Sequence, residues 1–228
     1  MSAPPGSRAA LYDRLSMGLL VLTAVSGIVD AVSFLGLGHI FTANMTGNVA
    51  LLAFAAVGAP DISVARSITS LAAFLSGAGL GGYFARGVAG PFRRRWLLLC
   101  ATCEAALLVA AAIAGIAIDG DSTALVDRQY AVIVLTALAM GLRNATVQQL
   151  AVPGLTTTTV LTTTMTGLAA DFALAGGSNL HMRRRLGSIA SLFAGGAIGA
   201  VLLRFGLSVP LIVGAICVVF ATVGYVDA

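Results

Sequence analysis

Thr23, Ser26, Asp30 and Ser33 recur at i, i+3, i+7 and i+10 within an otherwise apolar run. A helix through them carries all four on one face. Lipid cannot hydrogen-bond such a stripe, so it must face the bundle interior or a water-filled cavity. An acid inside a membrane helix is costly and is read first as functional. Two chemistries are open to Asp30. It can meet a substrate or carry a proton, or it can cap a nearby break in the backbone. Such a break is written just downstream, at Gly36-Leu37-Gly38-His39, and the chain restarts at Asn44-Met45-Thr46-Gly47-Asn48.

Asn44 and Thr164 each stand where a short apolar segment restarts as a helix, and both residue types are good N-caps. The first N–H groups behind a cap have no partner within the helix. With the helix dipole they favour an anion or a carbonyl-type oxygen. Asp30, Asn44, Thr46 and Asn48 are therefore expected to converge with Asn144, Thr164 and Thr166 on one substrate-binding cavity. The alternative is that these amides are satisfied by the other half of the chain, with no ligand. Thr156 to Thr159 and Thr162 to Thr164 follow Pro153-Gly154. They would line a polar path, or else bond back to their own helix carbonyls.

Arg143 interrupts a further apolar run and needs a carboxylate. Counting depth at about 1.5 Å per residue sets Asp30 roughly 10 Å from it and puts Glu104 at a better level. Asp171 is the other candidate. Glu104, Arg143 and Asp171 thus form an expected ion pair or proton relay, with a substrate-binding role for Arg143 as the alternative. A Cys100-xx-Cys103 pair lies in an apolar run and reads as packing. No metal-ligand spacing, nucleophile elbow or phosphate loop is present, so no catalytic residue, metal or cofactor is expected.

The elements that must hold these residues follow from composition. Of the 228 residues, 58% are hydrophobic and 10% charged, with a mean hydropathy of +0.98. Soluble domains carry about 25% charged residues. The chain is expected to be an all-α integral membrane protein whose principal partner is the lipid bilayer. Its net charge is +4, and all thirteen basic residues are Arg, most of them in short loops, which signals orientation rather than nucleic-acid binding. Read at about 20 residues per span, the chain offers apolar segments near 17–37, 44–58, 67–84, 96–118, 130–150, 158–176, 186–203 and 207–226. The segment at 44–58 is short, and the one at 158–176 is rich in Thr at its start. Leu19 is expected on the lipid-facing surface of the first helix.

Basic residues decide which segments cross. Arg8 and Arg14, then Arg86 with Arg93, Arg94 and Arg95, then Arg183, Arg184 and Arg185 form three clusters. Residues 119–128 instead hold Asp119, Asp121 and Asp127 against Arg128. The positive-inside rule makes the clusters cytoplasmic and the acidic loop external. That requires six transmembrane helices plus two re-entrant or half helices, with both termini cytoplasmic. The order also repeats. Residues 22–31, LTAVSGIVDA, are similar to residues 135–145, LTALAMGLRNA; Asn44-Met45-Thr46-Gly47 matches Thr164-Met165-Thr166-Gly167; Gly77-xxx-Gly81 matches Gly195-xxx-Gly199; and Arg86 falls opposite Arg204. The expected organisation is a cytoplasmic tail at 1–16, one repeat at 17–118, the external loop, and an inverted-topology repeat at 129–228. Inverted repeats with broken helices are a transporter architecture with the site near the midplane.

The GIVDAVSFL stretch followed by FTANMTGN, residues 27–48, resembles the YoaK family of bacterial membrane proteins, and the likeness extends over nearly the whole chain. The resemblance implies six helices, an inner-membrane location and small-molecule transport. It carries over no site residue. The functional expectation is a secondary transporter or facilitator of a small polar or anionic molecule. The alternatives are a channel, which would share the residues but need an open gated path, and a non-transporting membrane scaffold or enzyme, the enzyme needing a clustered acid, base and nucleophile. A homo-oligomer is compatible with the sequence.

Overall fold

The apolar run carrying Asp30 folds as one long helix, α1 (Pro5–Gly36), so helix already occupies most of the stretch expected to be a tail. In the computed structural model, residues 5–88, 93–116, 125–150, 162, 165–166 and 182–226 are described. Thr164, Asp171 and most of the Thr-rich segment lie outside them. The α1 helix stops where the sequence breaks it. Gly38 takes φ +93° and His39 φ +57°, and the His39 N–H closes on the Phe34 carbonyl at 3.1 Å. A side chain at Gly38 would be strained by its φ and would also meet the Arg66 guanidinium. The chain then runs back along α1, with the Phe34 and Phe41 rings stacked at 5.0 Å.

α2 (Met45–Ala56) starts at the Asn44 cap, whose Oδ1 accepts the Gly47 N–H. At about 18 Å it is too short to cross about 30 Å of hydrocarbon. α3 (Val64–Val88), α4 (Arg93–Ile116), α5 (Leu125–Leu150), α6 (Met182–Leu202), a 3-10 turn at Leu203–Phe205, and α7 (Ser208–Val226) follow. Among the described residues there is no strand. Among the described residues five helices are long and apolar enough to cross a membrane: α1 from Leu15, and α3, α4, α5 and α6. Ser208–Gly224 of α7 is a shorter apolar stretch.

Packing sorts the helices into two groups. α5 lies against α3 and α4; α1 lies against α6 and α7; and α4 against α7 joins the groups. In lipid, helices associate by close backbone approach through small residues, and glycine marks both tight seams. A Cβ at Gly77 would strike the Leu138 backbone, and one at Gly141 the Phe74 backbone; across the other seam Gly195 meets Ala24 and Gly27 meets Leu192. Leu19, Val25, Val29, Leu108, Ile133 and Leu211 fill the core. Leu19 is wholly buried, contrary to its expected lipid exposure, because α1 sits between α6 and α7 and has little free surface. The outward surface is apolar instead, with Phe193 and Phe220 well exposed. Cys100, Cys103 and Cys217 are free thiols.

Candidate functional site

Asp30 is turned to the backbone beside it and is not among the residues that line the chamber between α2, α3 and α5. Its Oδ1 accepts the backbone N–H groups of Thr42 at 3.2 Å, Ala43 at 2.8 Å and Asn44 at 3.3 Å. Those amides belong to the segment that has turned back along α1, which has no helix or sheet to satisfy it. Asn48 acts on the same segment from the other side. It is fully buried, its Oδ1 accepts the Phe41 N–H at 3.1 Å, and its Nδ2 donates to the Phe41 carbonyl at 2.8 Å. Ser70 of α3 adds a hydroxyl donor to that carbonyl at 2.7 Å. Asp30 and Asn48, expected to line the cavity, are instead the clamps that hold the break open. Each is engaged by backbone groups of the turned-back segment. The rest of the α1 stripe is buried, with Thr23 and Ser26 bonded back to the Leu19 and Leu22 carbonyls.

Arg143 is 2% exposed and Glu104 4%. Arg143 Nε donates to Glu104 Oε1 at 2.6 Å, and its Nη2 contacts the same oxygen. Nη1 donates to the Leu22 carbonyl at 2.7 Å and to Ser26 Oγ at 3.1 Å. Four hydrogen bonds thus engage a group with five donors. The guanidinium ties α5 to α4 and α1. This leaves Arg143 little capacity for a substrate, although Asn144 beside it in sequence takes the opposite course.

Asn144 faces a cavity of about 340 Å³ between α2, α3 and α5. Asn44, Met45 and Thr46, at the start of α2, line one end. Phe74 and Gly82 of α3 form one wall. Gln148 and Gln149 join Asn144 on the α5 wall. Asn144 Nδ2 also donates back to the Met140 carbonyl at 3.1 Å. Two larger cavities, about 450 and 430 Å³, are apolar grooves lined by residues such as Met17 and Phe220, or Leu80 and Leu107. Polarity rather than size therefore selects the chamber under α2. The structure brings together Asn44, Thr46 and Asn144 of the expected set. Thr166 is exposed, and Thr164 and Asp171 lie outside the described residues. Gln148, Gln149 and Phe74 were not in the expected set. Gln149 follows Gln148 at the end of α5, where a second carboxamide was a legible signal; Phe74 had none, being one more aromatic in an apolar helix. Among the described residues no cluster could hold a metal ion.

A family model described as a protein of unknown function (DUF1275) matches residues 18–224. The UPF0700 transmembrane protein YoaK of Bacillus subtilis (strain 168) is 34% identical over 165 residues, covering 72% of this chain and 69% of that protein. No solved structure matches the chain.

Proposed function

The chain belongs to the DUF1275 family, alongside the transmembrane protein YoaK, and from that premise we propose that it is a secondary transporter or facilitator of a small polar molecule, held in the chamber under α2. One observation carries this reading: a helix ends partway through the bundle, and its first turn faces a cavity walled by carboxamides. Asn44, Thr46, Gln148 and Gln149 are exposed around this cavity, and polar groups within a bilayer need partners that lipid cannot supply.

The proposed frame is six crossings, with α2 as a half helix. The 19 residues of α7 make about 28 Å of helix, close to the hydrocarbon thickness. An inverted repeat is supported by recurrence of the same close contacts. The shift that carries Gly27 onto Gly141 also carries Ala24 onto Leu138 and Ala31 onto Ala145; the shift that carries Gly195 onto Gly77 also carries Gly199 onto Gly81 and Leu192 onto Phe74. Under those shifts Gly27 against Leu192 becomes Gly141 against Phe74, and Gly199 against Ala31 becomes Gly81 against Ala145. By the positive-inside rule, the end of α3 that carries Arg86 is cytoplasmic. The Gly82 and Gln149 end of the chamber lies there, so the chamber opens inward, in an inner-membrane protein with both termini inside.

A transporter is favoured over a channel because the far side is stoppered. Ile40, Thr42 and Ala43 are buried in the segment that Asp30 and Asn48 pin above the chamber. Reswelling of proteoliposomes after an osmotic step, followed by light scattering with a range of small polar solutes and with or without a pH gradient, tests the reading. At least one solute is expected to enter faster than into protein-free vesicles, with the gain lost in Asn144→Leu. Equal rates for every solute would overturn it.

A further inference from the structure

We propose that the chamber's ligand is an uncharged, planar, amide-like solute, one that presents a carbonyl and an N–H side by side. This rests on the transport reading and narrows it to a substrate class. The lining supplies carboxamides from Asn44, Asn144, Gln148 and Gln149 and a hydroxyl from Thr46. A carboxamide donates and accepts at once, so it complements a ligand that does the same. The start of α2 contributes first-turn amides and the positive end of a helix dipole, which suit a carbonyl oxygen. Phe74 and the small residues Ala78 and Gly82 give the chamber an apolar lining on the α3 side, against which a ring can lie.

The described lining favours a neutral ligand over an ionic one. Among the described residues, no ionisable side chain lines the chamber. Two ionisable groups behind the lining are engaged by the protein itself. Arg143 is neutralised by Glu104, and Asp30 is held by the amides of Thr42, Ala43 and Asn44. An ion entering the chamber would lose hydration without meeting a counter-charged side chain in the described lining, which is unfavourable. A neutral solute exchanges water for amide contacts of the same kind. The anionic substrate allowed by the sequence is therefore disfavoured by what Arg143 does in the folded chain.

Nicotinamide, nicotinate and 1-methylnicotinamide share one ring and differ in charge, and uracil is a second neutral amide. Each is tested at pH 7 for entry into proteoliposomes and for thermal stabilisation of the purified protein. Nicotinamide and uracil are expected to enter and stabilise at least tenfold more effectively than the two ions, and Gln148→Leu to remove the difference. Preferred entry of nicotinate or 1-methylnicotinamide, still abolished by Gln148→Leu, would overturn the substrate class and leave the transport reading standing. No effect of any of the four probes would also overturn the class. Transport itself would then fail only if the wider osmotic series of sugars, polyols and amino acids failed with it.

Discussion

Three backbone amides converge on one oxygen of Asp30, and this separates two kinds of substitution. Hydrogen bonds to a charged acceptor contribute about 1.5–3 kcal/mol each, more than neutral ones. Asp30→Asn keeps an acceptor oxygen but loses the charge. It should lower the unfolding midpoint in detergent, and Asp30→Leu should lower it further. A wild-type midpoint for Asp30→Asn would mean that the turned-back segment is held by something else. Gln148→Leu should behave in the opposite way, with stability changed by no more than about 0.5 kcal/mol and solute entry lost. The buried pair obeys another rule. Removing one partner strands a charge and costs about 3–5 kcal/mol, whereas replacing both with apolar groups is often neutral. Glu104→Leu alone should therefore destabilise the protein more than Glu104→Leu with Arg143→Met, as read from denaturation of the purified proteins. The reverse order would show that the pair is not the buried contact described.

At the scale of the elements, the seams are set by glycine. Gly141 and Gly195 lie against backbone across α3–α5 and α1–α6, whereas Gly79 and Gly224 have open space where a Cβ would stand. Backbone cannot step aside as a side-chain tip can, so a larger residue must part the helices. Overpacking of this kind costs about 1–3 kcal/mol or more. Gly141→Val and Gly195→Val should cut the yield of folded protein and its thermal midpoint, with Gly79→Ala and Gly224→Ala close to wild type. Equal loss at Gly79 would place that face in a contact the isolated chain lacks. The break between α1 and α2 belongs to the same scale. Gly36, Gly38 and the Asn44 cap wrote it into the sequence, and the structure ends α1 at Gly36 and begins α2 at Met45.

For the whole molecule, the two helix groups meet where α4 packs on α7, with the Ser208 hydroxyl donating to the Ala112 carbonyl at 2.7 Å. Arg143 adds a polar tie from α5 to α1 near the same divide. The proposed topology makes a simple demand on this assembly. A cysteine replacing Arg94, in a chain whose native cysteines are changed to alanine, should react with an impermeant maleimide only after the membrane is opened. Labelling in intact cells would place that end of α4 outside and invert the chamber's direction.

The one-dimensional pattern determined the membrane class, the break before α2, the Asn44 cap and, by depth counting, Glu104 as the acid level with Arg143. These follow from local quantities: hydropathy summed along a run, turn chemistry at glycine, and a fixed rise per residue. Which surface each helix buries was decided only in three dimensions. In water an amphipathic period marks the buried face. In a bilayer lipid and core are equally apolar, so Leu19 carries no mark separating outside from inside. Phe74 is equally silent about the wall it forms. The same limit hid the role of Asp30. Its spacing with Thr23, Ser26 and Ser33 established that it faces the interior, but the choice between ligand and backbone depended on where residues 42–44 came to rest. They lie beside it because the amides of a broken helix need partners, and a carboxylate about two turns down α1 was within their reach.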